Sequence, residues 1–183
     1  MGMLIGIGVL VVVVVILIGL YNGLVQLKIR ADSAWSDIDV QLKRRHDLIP
    51  NLVETVKGYA AHEKGTFENV AKWRSAAMSA TAPAERAQAE GQLTMALKSL
   101  FAVAEAYPQL RANENFMSLQ KSLADIENDV QNSRRYYNAV VRDYNTRIQT
   151  FPANMFAGAF GFQPRQFFEL ETPADREVPS VKF

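Results

Sequence analysis

The sequence predicts an all-α protein: an N-terminal transmembrane helix continuing into an elongated antiparallel helical bundle of long, coiled-coil-like helices. Three observations predict it. Residues Met1 to Tyr21 carry no charge and include the unbroken apolar run from Val9 to Ile18. Between residues 24 and 150 prolines and glycines are sparse, and apolar side chains recur at spacings of three and four, the period of a helix with one buried face. From Phe116 to Phe151 that alternation is sustained over five heptads, the pattern of a long coiled-coil-like helix.

A helix of about 21 residues, at roughly 1.5 Å each, spans about 30 Å, the hydrocarbon thickness of a bilayer. Valine is a mediocre helix former in water, but in lipid the backbone of a single segment has no partner except itself. A cleaved signal peptide is the rival reading. It requires a charged start, a core of roughly 7 to 15 residues and a small-residue cleavage site; here the start is Met1-Gly2-Met3-Leu4, the core is longer, and no such site precedes Leu24. Residues 1–23 are therefore expected to remain as an anchor. Lys28, Arg30, Lys43, Arg44 and Arg45 follow the span, and the excess of cations on that side places the body in the cytoplasm, below a membrane crossed once.

The remaining chain, roughly 160 residues, suffices for one domain with a real core. Cysteine is absent, which excludes disulfides, thiol catalysis and cysteine-held metals or clusters. The net charge is +1 with both signs interleaved, so there is no electrostatic footprint for nucleic acid. The expected partners are the lipid bilayer, further copies of the chain in a homo-oligomer, and envelope proteins. No cofactor is expected.

The elements follow in order. Trp35, Ile38, Leu42, Ile49, Leu52, Val56 and Tyr59 form one stripe on a helix that continues from the span. Arg45 fills the slot between Leu42 and Ile49. Pro50 removes a hydrogen bond to the carbonyl of His46 and crowds that turn, so a bend is expected there. Past Gly58 and Gly65, which are either bends or small residues inside one helix, the pattern resumes through Phe67, Val70 and Trp73 and dissolves between Ser75 and Pro83. Pro83 suits the first turn of a new helix, with Glu85 favourable to its dipole. Leu93, Leu97, Leu100 or Phe101, Ala104 and Tyr107 line its inner face and Pro108 stops it. A short connection to Asn113 makes the next helix an antiparallel neighbour. That helix carries Phe116, Leu119, Leu123, Ile126, Val130, Ser133, Tyr137, Val140, Tyr144, Arg147 and Phe151 inward, with Val141 and Ile148 taking over late, the drift of a 3.6-residue helix against a 3.5-residue repeat. The bundle is assigned to residues 24–151.

Residues 152–183 form a third region, a Phe-rich segment and a polar tail from Glu169 to Phe183. With Phe151, seven of the ten phenylalanines lie in the last 33 residues, a density that needs a partner surface. Either Phe156, Phe160, Phe162, Phe167 and Phe168 cap the apolar end of the bundle, or they form a membrane-interface or docking segment.

Candidate chemistry is thin. His46 and His62 are followed by Asp47 and Glu63, yet on one straight helix they stand about 24 Å apart and cannot share a metal. No glycine-rich phosphate loop or metal-binding histidine pair is present, and no spare base serves a serine. The polar locus is Arg44-Arg45-His46-Asp47, read as a solvated face plus one inner arginine, Arg45, paired to a carboxylate such as Glu127 or Asp129. Tyr137-Asn138 and Tyr144-Asn145 repeat at seven residues, the signature of a polar-edged seam that sets helix pairing.

The chain resembles the LemA family of bacterial membrane proteins. The resemblance rests on Arg44 to Val53 with Pro50-Asn51 at its centre, on Val56-Lys57-Gly58-Tyr59 with His62-Glu63, and on Tyr107-Pro108-Gln109-Leu110 followed by Ala112-Asn113 and Phe116. Arg134 or Arg135 with Tyr137-Asn138, then Tyr144-Asn145 and Phe151-Pro152, extend it to about residue 168. It implies one N-terminal membrane helix carrying an elongated helical domain without known catalysis, and kinship with proteins linked to shaping intracellular membranes in magnetosome-forming bacteria. It supplies no catalytic residues.

The expected function is a non-enzymatic, membrane-anchored scaffold or interaction protein that self-associates in the cell envelope. The alternative is a membrane-remodelling protein inserting its Phe-rich segment, and a third reading is a ligand or metal sensor at His46. Arg44, Arg45, His46, Asp47, Asn51, Tyr137, Asn138, Tyr144 and Asn145 are the residues assigned to interaction or register.

Overall fold

The computed structural model describes residues 1–169, so the polar tail beyond Glu169 lies outside them. Among the described residues 82% are helical and none is in a strand. The elements are α1 (Gly2–Lys57), α2 (Lys64–Ser79), α3 (Pro83–Glu105), α4 (Pro108–Arg111), α5 (Glu114–Gln149) and α6 (Asn154–Ala157).

α1 is one helix of 56 residues. Its first part is long and apolar enough to cross a membrane, with a mean hydropathy of 3.3 over its most apolar window and nothing buried against protein. It passes Asn22-Gly23 and Pro50 without interruption. Gly58 lies in a turn that separates α1 from α2, while Gly65 is in the first turn of α2. α2 extends to Ser79, beyond the point where apolar periodicity fades, because the alanines there are strong helix formers and Ala77 is fully buried. Pro83 opens α3 with Glu85 in its first turn. Pro108 starts the short helix α4 rather than merely ending α3, since a proline at the first helical position gives up no intrahelical bond. Asn113 caps α5 by accepting a hydrogen bond from the Phe116 amide at 3.0 Å, relieving one of the unpaired donors of the first turn.

The chain divides into two compact units. One comprises Met1–Asp37 with Arg135–Gln166. Its core is Leu24, Tyr144, Ile148, Ala153, Ala157 and Phe162. The other comprises Ile38–Arg134 with the described residues from Phe167 on. There Ile49, Leu52 and Val56 of α1 share a core with Phe67 and Val70 of α2, Leu93, Leu97 and Leu100 of α3, Leu110 of α4, and Phe116 and Leu123 of α5, a helical bundle in which each amphipathic helix buries one stripe. Val141 and Ile148 of α5 are buried. Arg147 is exposed and Phe151 is 78% exposed, so the inner stripe of α5 leaves the strict heptad before its end. Tyr59 is also exposed rather than inner; its hydroxyl accepts a hydrogen bond from Asn113 at 3.0 Å.

Candidate functional site

Two polar clusters are built into the fold, one in each unit. The first grows from neighbouring residues of α1. Arg45 occupies the slot left between Leu42 and Ile49, and His46 is turned by roughly 100° from it. Both are buried, at 3% exposure. Glu90 of α3, 2% exposed, stands between them. Its Oε2 accepts from Arg45 Nη1 at 2.8 Å and its Oε1 lies 2.7 Å from His46 Nε2. Arg45 Nη2 donates to Thr94 Oγ1, one turn further along α3, at 2.7 Å, and is 3.1 Å from Glu127 of α5. One guanidinium thus ties three helices, using the fixed fork of donors that lysine lacks.

The backbone of His46 is held too. Pro50 has no N–H to give its carbonyl, and Arg74 of α2 supplies the missing donor from Nε at 2.8 Å. Around the rim, Arg44 pairs with Gln41 at 2.8 Å and with Asp129 at 3.5 Å, and Arg86 pairs with Asp39. Asp47 and Asn51 are exposed. Of the expected solvated face, His46 is the exception. It is buried because α3 fills the angle beside Arg45, bringing Glu90 to meet both residues. Of the two carboxylates expected for Arg45, Glu127 pairs with Arg45 and Asp129 with Arg44, and Glu90 joins them. A signal for Glu90 existed: it lies three residues before Leu93, on the extension of the inner stripe of α3.

A histidine against a carboxylate is also the arrangement of a general base and its orienting group. Here the pair is closed off from solvent and its carboxylate is shared with Arg45, so a reacting molecule has no approach to it. Among the described residues no group of three or more His, Cys, Asp or Glu is placed to hold a metal ion, and His62 stands apart on the surface.

The second cluster fixes the chain after α6. Asn145 of α5 pairs with the backbone of Arg165 in both directions, donating to its carbonyl at 2.9 Å and accepting from its amide at 2.8 Å. The Tyr137 hydroxyl donates to the Gln166 carbonyl at 2.9 Å. The Arg165 guanidinium lies 5.8 Å from the centre of the Tyr144 ring and 2.6 Å from Asp32 of α1, while Trp35 packs on Tyr137 at 5.2 Å. Burial pushes both phenols up from the ordinary tyrosine value of 10.0, with Arg165 pulling the other way. Asn138 is half-buried beside them. Seven-residue spacing puts Tyr137 and Tyr144 on one face of α5, and their partner is an irregular strand of chain as well as a helix. Asp32 and Arg165 were not singled out from the sequence.

The five aromatics of the Phe-rich segment split. Phe162 and Phe168 are buried, Phe156 is half-buried, and Phe160 and Phe167 are exposed. Phe168 lies under the Arg134 guanidinium at 5.5 Å. Phe160 and Phe162 stand edge-on to Tyr21 of α1, with ring centres 5.3 Å and 5.7 Å away.

The model of the LemA family matches residues 34–183. The chain belongs to the LemA family. Among its relatives, magnetosome protein MamQ 2 of Paramagnetospirillum magneticum is 26% identical over 184 residues, covering 86% of this chain and 68% of that protein. Magnetosome protein MamQ of Magnetospirillum gryphiswaldense matches with the same identity and coverage. Protein LemA of Metamycoplasma hominis is 25% identical over 144 residues, 76% of this chain and 64% of its own. The LemA match begins one residue before Trp35 and takes in both polar clusters except Asp32. With its apolar N-terminal helix, this LemA-family chain is a membrane-associated protein.

Proposed function

We propose that the chain is a non-enzymatic, membrane-anchored scaffold that self-associates in the bacterial cytoplasmic membrane, with its helical body on the cytoplasmic side. The observation that carries this reading is the continuity of α1: the apolar span and the buried stripe from Leu24 to Val56 belong to one unbroken helix. A flexible tether lets a body tumble, whereas a continuous helix hands the orientation of the span to the residues packed within the same unit, Leu24, Ala31 and Ala34. The polar residues support the same reading, since Arg45, His46, Glu90 and Asn145 are engaged by the fold itself. Gly19 and Gly23 have open space where a Cβ would stand, a spacing that lets helices approach closely in lipid. The cations from Lys28 onward support the cytoplasmic side. The sensor reading loses ground because Arg45 already provides the positive charge between Glu90 and Glu127. Bilayer remodelling requires the Phe-rich segment to enter lipid first.

The test is extraction from native membranes without detergent, followed by mass measurement and identification of what co-purifies. The expected result is a particle of two or more copies, or one copy with a stoichiometric partner. A lone 20.5 kDa chain from which cross-linking traps nothing refutes the scaffold.

A further inference from the structure

From Phe151 to Pro164 there is no charged side chain; Arg165 is the next. One side of this stretch is core, with Ala153, Ala157 and Phe162 buried against Leu24. Its other side is bare and mainly apolar: Phe151 is 78% exposed, Met155 66% and Phe160 49%, with the exposed amide of Asn154 among them. The turn is built rather than slack. The Phe162 amide returns to the Ala157 carbonyl at 2.9 Å, across Gly161 at φ +75°, a left-handed backbone that favours glycine. Asn145 and Tyr137 then clasp the chain at Arg165 and Gln166.

The place of this turn along α1 says what covers it. Phe160 and Phe162 lie against Tyr21, and Tyr21 ends the stretch without charged or amide side chains, Asn22 being the next residue, a stretch that fills a hydrocarbon thickness of about 30 Å. Lys28, seven residues on and the first cation of α1, is roughly 10 Å further along the helix. Groups packed on Tyr21 therefore share its depth, where amphipathic rings collect at the headgroup level.

We infer that the Phe151–Phe162 turn lies in the bilayer interface of the leaflet from which α1 emerges, with Phe151, Met155 and Phe160 in the boundary between headgroups and acyl chains. The occupant of the bare face is lipid. Arg165, Lys28 and Arg30 follow on the water side, where anionic headgroups suit them. The turn is a second membrane contact beside the span, and it fixes the rotation of α1 about its own axis as a lone helix cannot. The inference rests on α1 crossing the bilayer and is independent of self-association.

The absence of cysteine allows a direct test. Full-length Val14→Cys, Met155→Cys, Phe160→Cys and Ser118→Cys variants are spin-labelled and reconstituted into phosphatidylcholine vesicles containing phosphatidylglycerol, and the accessibility of each label to oxygen and to a water-soluble nickel chelate is measured. Ser118, exposed on α5, is the water reference and Val14 the lipid reference. The expected oxygen-to-nickel ratio at residues 155 and 160 is at least about threefold above that at 118, as for side chains buried about 5 to 10 Å into the boundary. A water-like ratio at both while Val14 reads lipid overturns the inference and leaves the span intact. A water-like ratio at Val14 overturns the span and the inference with it. Spin–spin broadening between copies at residue 155 or 160 overturns it as well, because the face is then covered by a second chain. Met155, being exposed, keeps the test informative if Phe160→Cys fails to fold.

Discussion

Replacing Glu90 by leucine removes the carboxylate that Arg45 and His46 share, at nearly constant volume and with no loss of helix propensity in α3. Arg45 keeps Thr94 and Glu127, but Glu127 is 30% exposed and its attraction is weakened by water. His46 is left with no acceptor at Nε2. Breaking one partner out of a buried ion pair costs about 3 to 5 kcal/mol, and the surviving Glu127 contact puts this case at the low end, about 3 kcal/mol. For a chain of this size each kcal/mol moves the melting temperature by about 2 to 4 °C, so Glu90→Leu is expected to lower it by about 6 to 12 °C. The assay is thermal unfolding of the full chain in a mild detergent, followed by far-ultraviolet circular dichroism. The decisive companion is the triple variant Arg45→Met, His46→Leu, Glu90→Leu. It removes the three buried polar groups, leaves the part-exposed Glu127 to water, and is expected to return to within about 1 kcal/mol of the parent, since well-packed apolar replacements of buried ion pairs are near neutral. A Glu90→Leu melting point within about 2 °C of the parent, or a triple variant as unstable as the single one, refutes the view that the cluster is an internally compensated lock.

Three further outcomes follow from the same geometry. Arg74→Met orphans the His46 carbonyl and is expected to cost about 1 to 3 kcal/mol; in a Pro50→Ala background the restored N–H takes over that carbonyl, so the loss shrinks, and equal losses in both backgrounds by denaturant titration count against the pairing. Asn145→Ala cuts both bonds to the Arg165 backbone and is expected to raise tryptic cleavage after Arg165 by about 5- to 30-fold, the effect of 1 to 2 kcal/mol on a local opening; an unchanged nicking rate refutes the clasp. Burial raises Tyr137 and Tyr144 above 10.0, so the folded chain favours the neutral phenols. Their contribution is complete below pH 10 and is lost as pH rises through the folded values. Between about pH 9 and about pH 11 the parent is expected to lose more melting temperature than a Tyr137→Phe, Tyr144→Phe variant, and parallel losses contradict the assignment.

What the sequence made legible is what hydropathy and period encode locally. The apolar span, the stripe of α1 and the heptads of α5 are each visible inside one helix. Tertiary partners are not. Glu90 on an apolar stripe reads as an interruption until Arg45, 45 positions earlier, is known to face it, and Asp32 meets Arg165 across 133 positions. His46 reads as outer because its neighbour Arg45 is inner; only the packing of α3 into the angle between them buries both. The end of α2 was obscured for a different reason. Its last turns are held by alanine propensity and the small buried Ala77, and alanine leaves no apolar period to follow.

The Arg45 network sits where packing alone specifies least. The buried face of α3 alternates Leu93, Leu97 and Leu100 with Ala87, Ala89, Ala96 and Ala104, and a face rich in alanine offers few large knobs to resist sliding. A slip of one turn moves a helix by about 5.4 Å along its axis and exchanges one leucine–alanine layer for a similar one at little loss of buried area. The same slip takes Glu90 from His46 and breaks the paired contacts of Arg45 with Glu90 and Thr94. The buried imidazole then has no acceptor and the guanidinium loses at least one of its two partners on α3, at a cost of several kcal/mol. A buried polar residue that adds little net stability still separates the correct register from its neighbours by that amount. The triple apolar variant therefore has a second signature: a chain as stable as its parent whose α3 amides exchange hydrogen faster, because registers that the network had excluded become accessible.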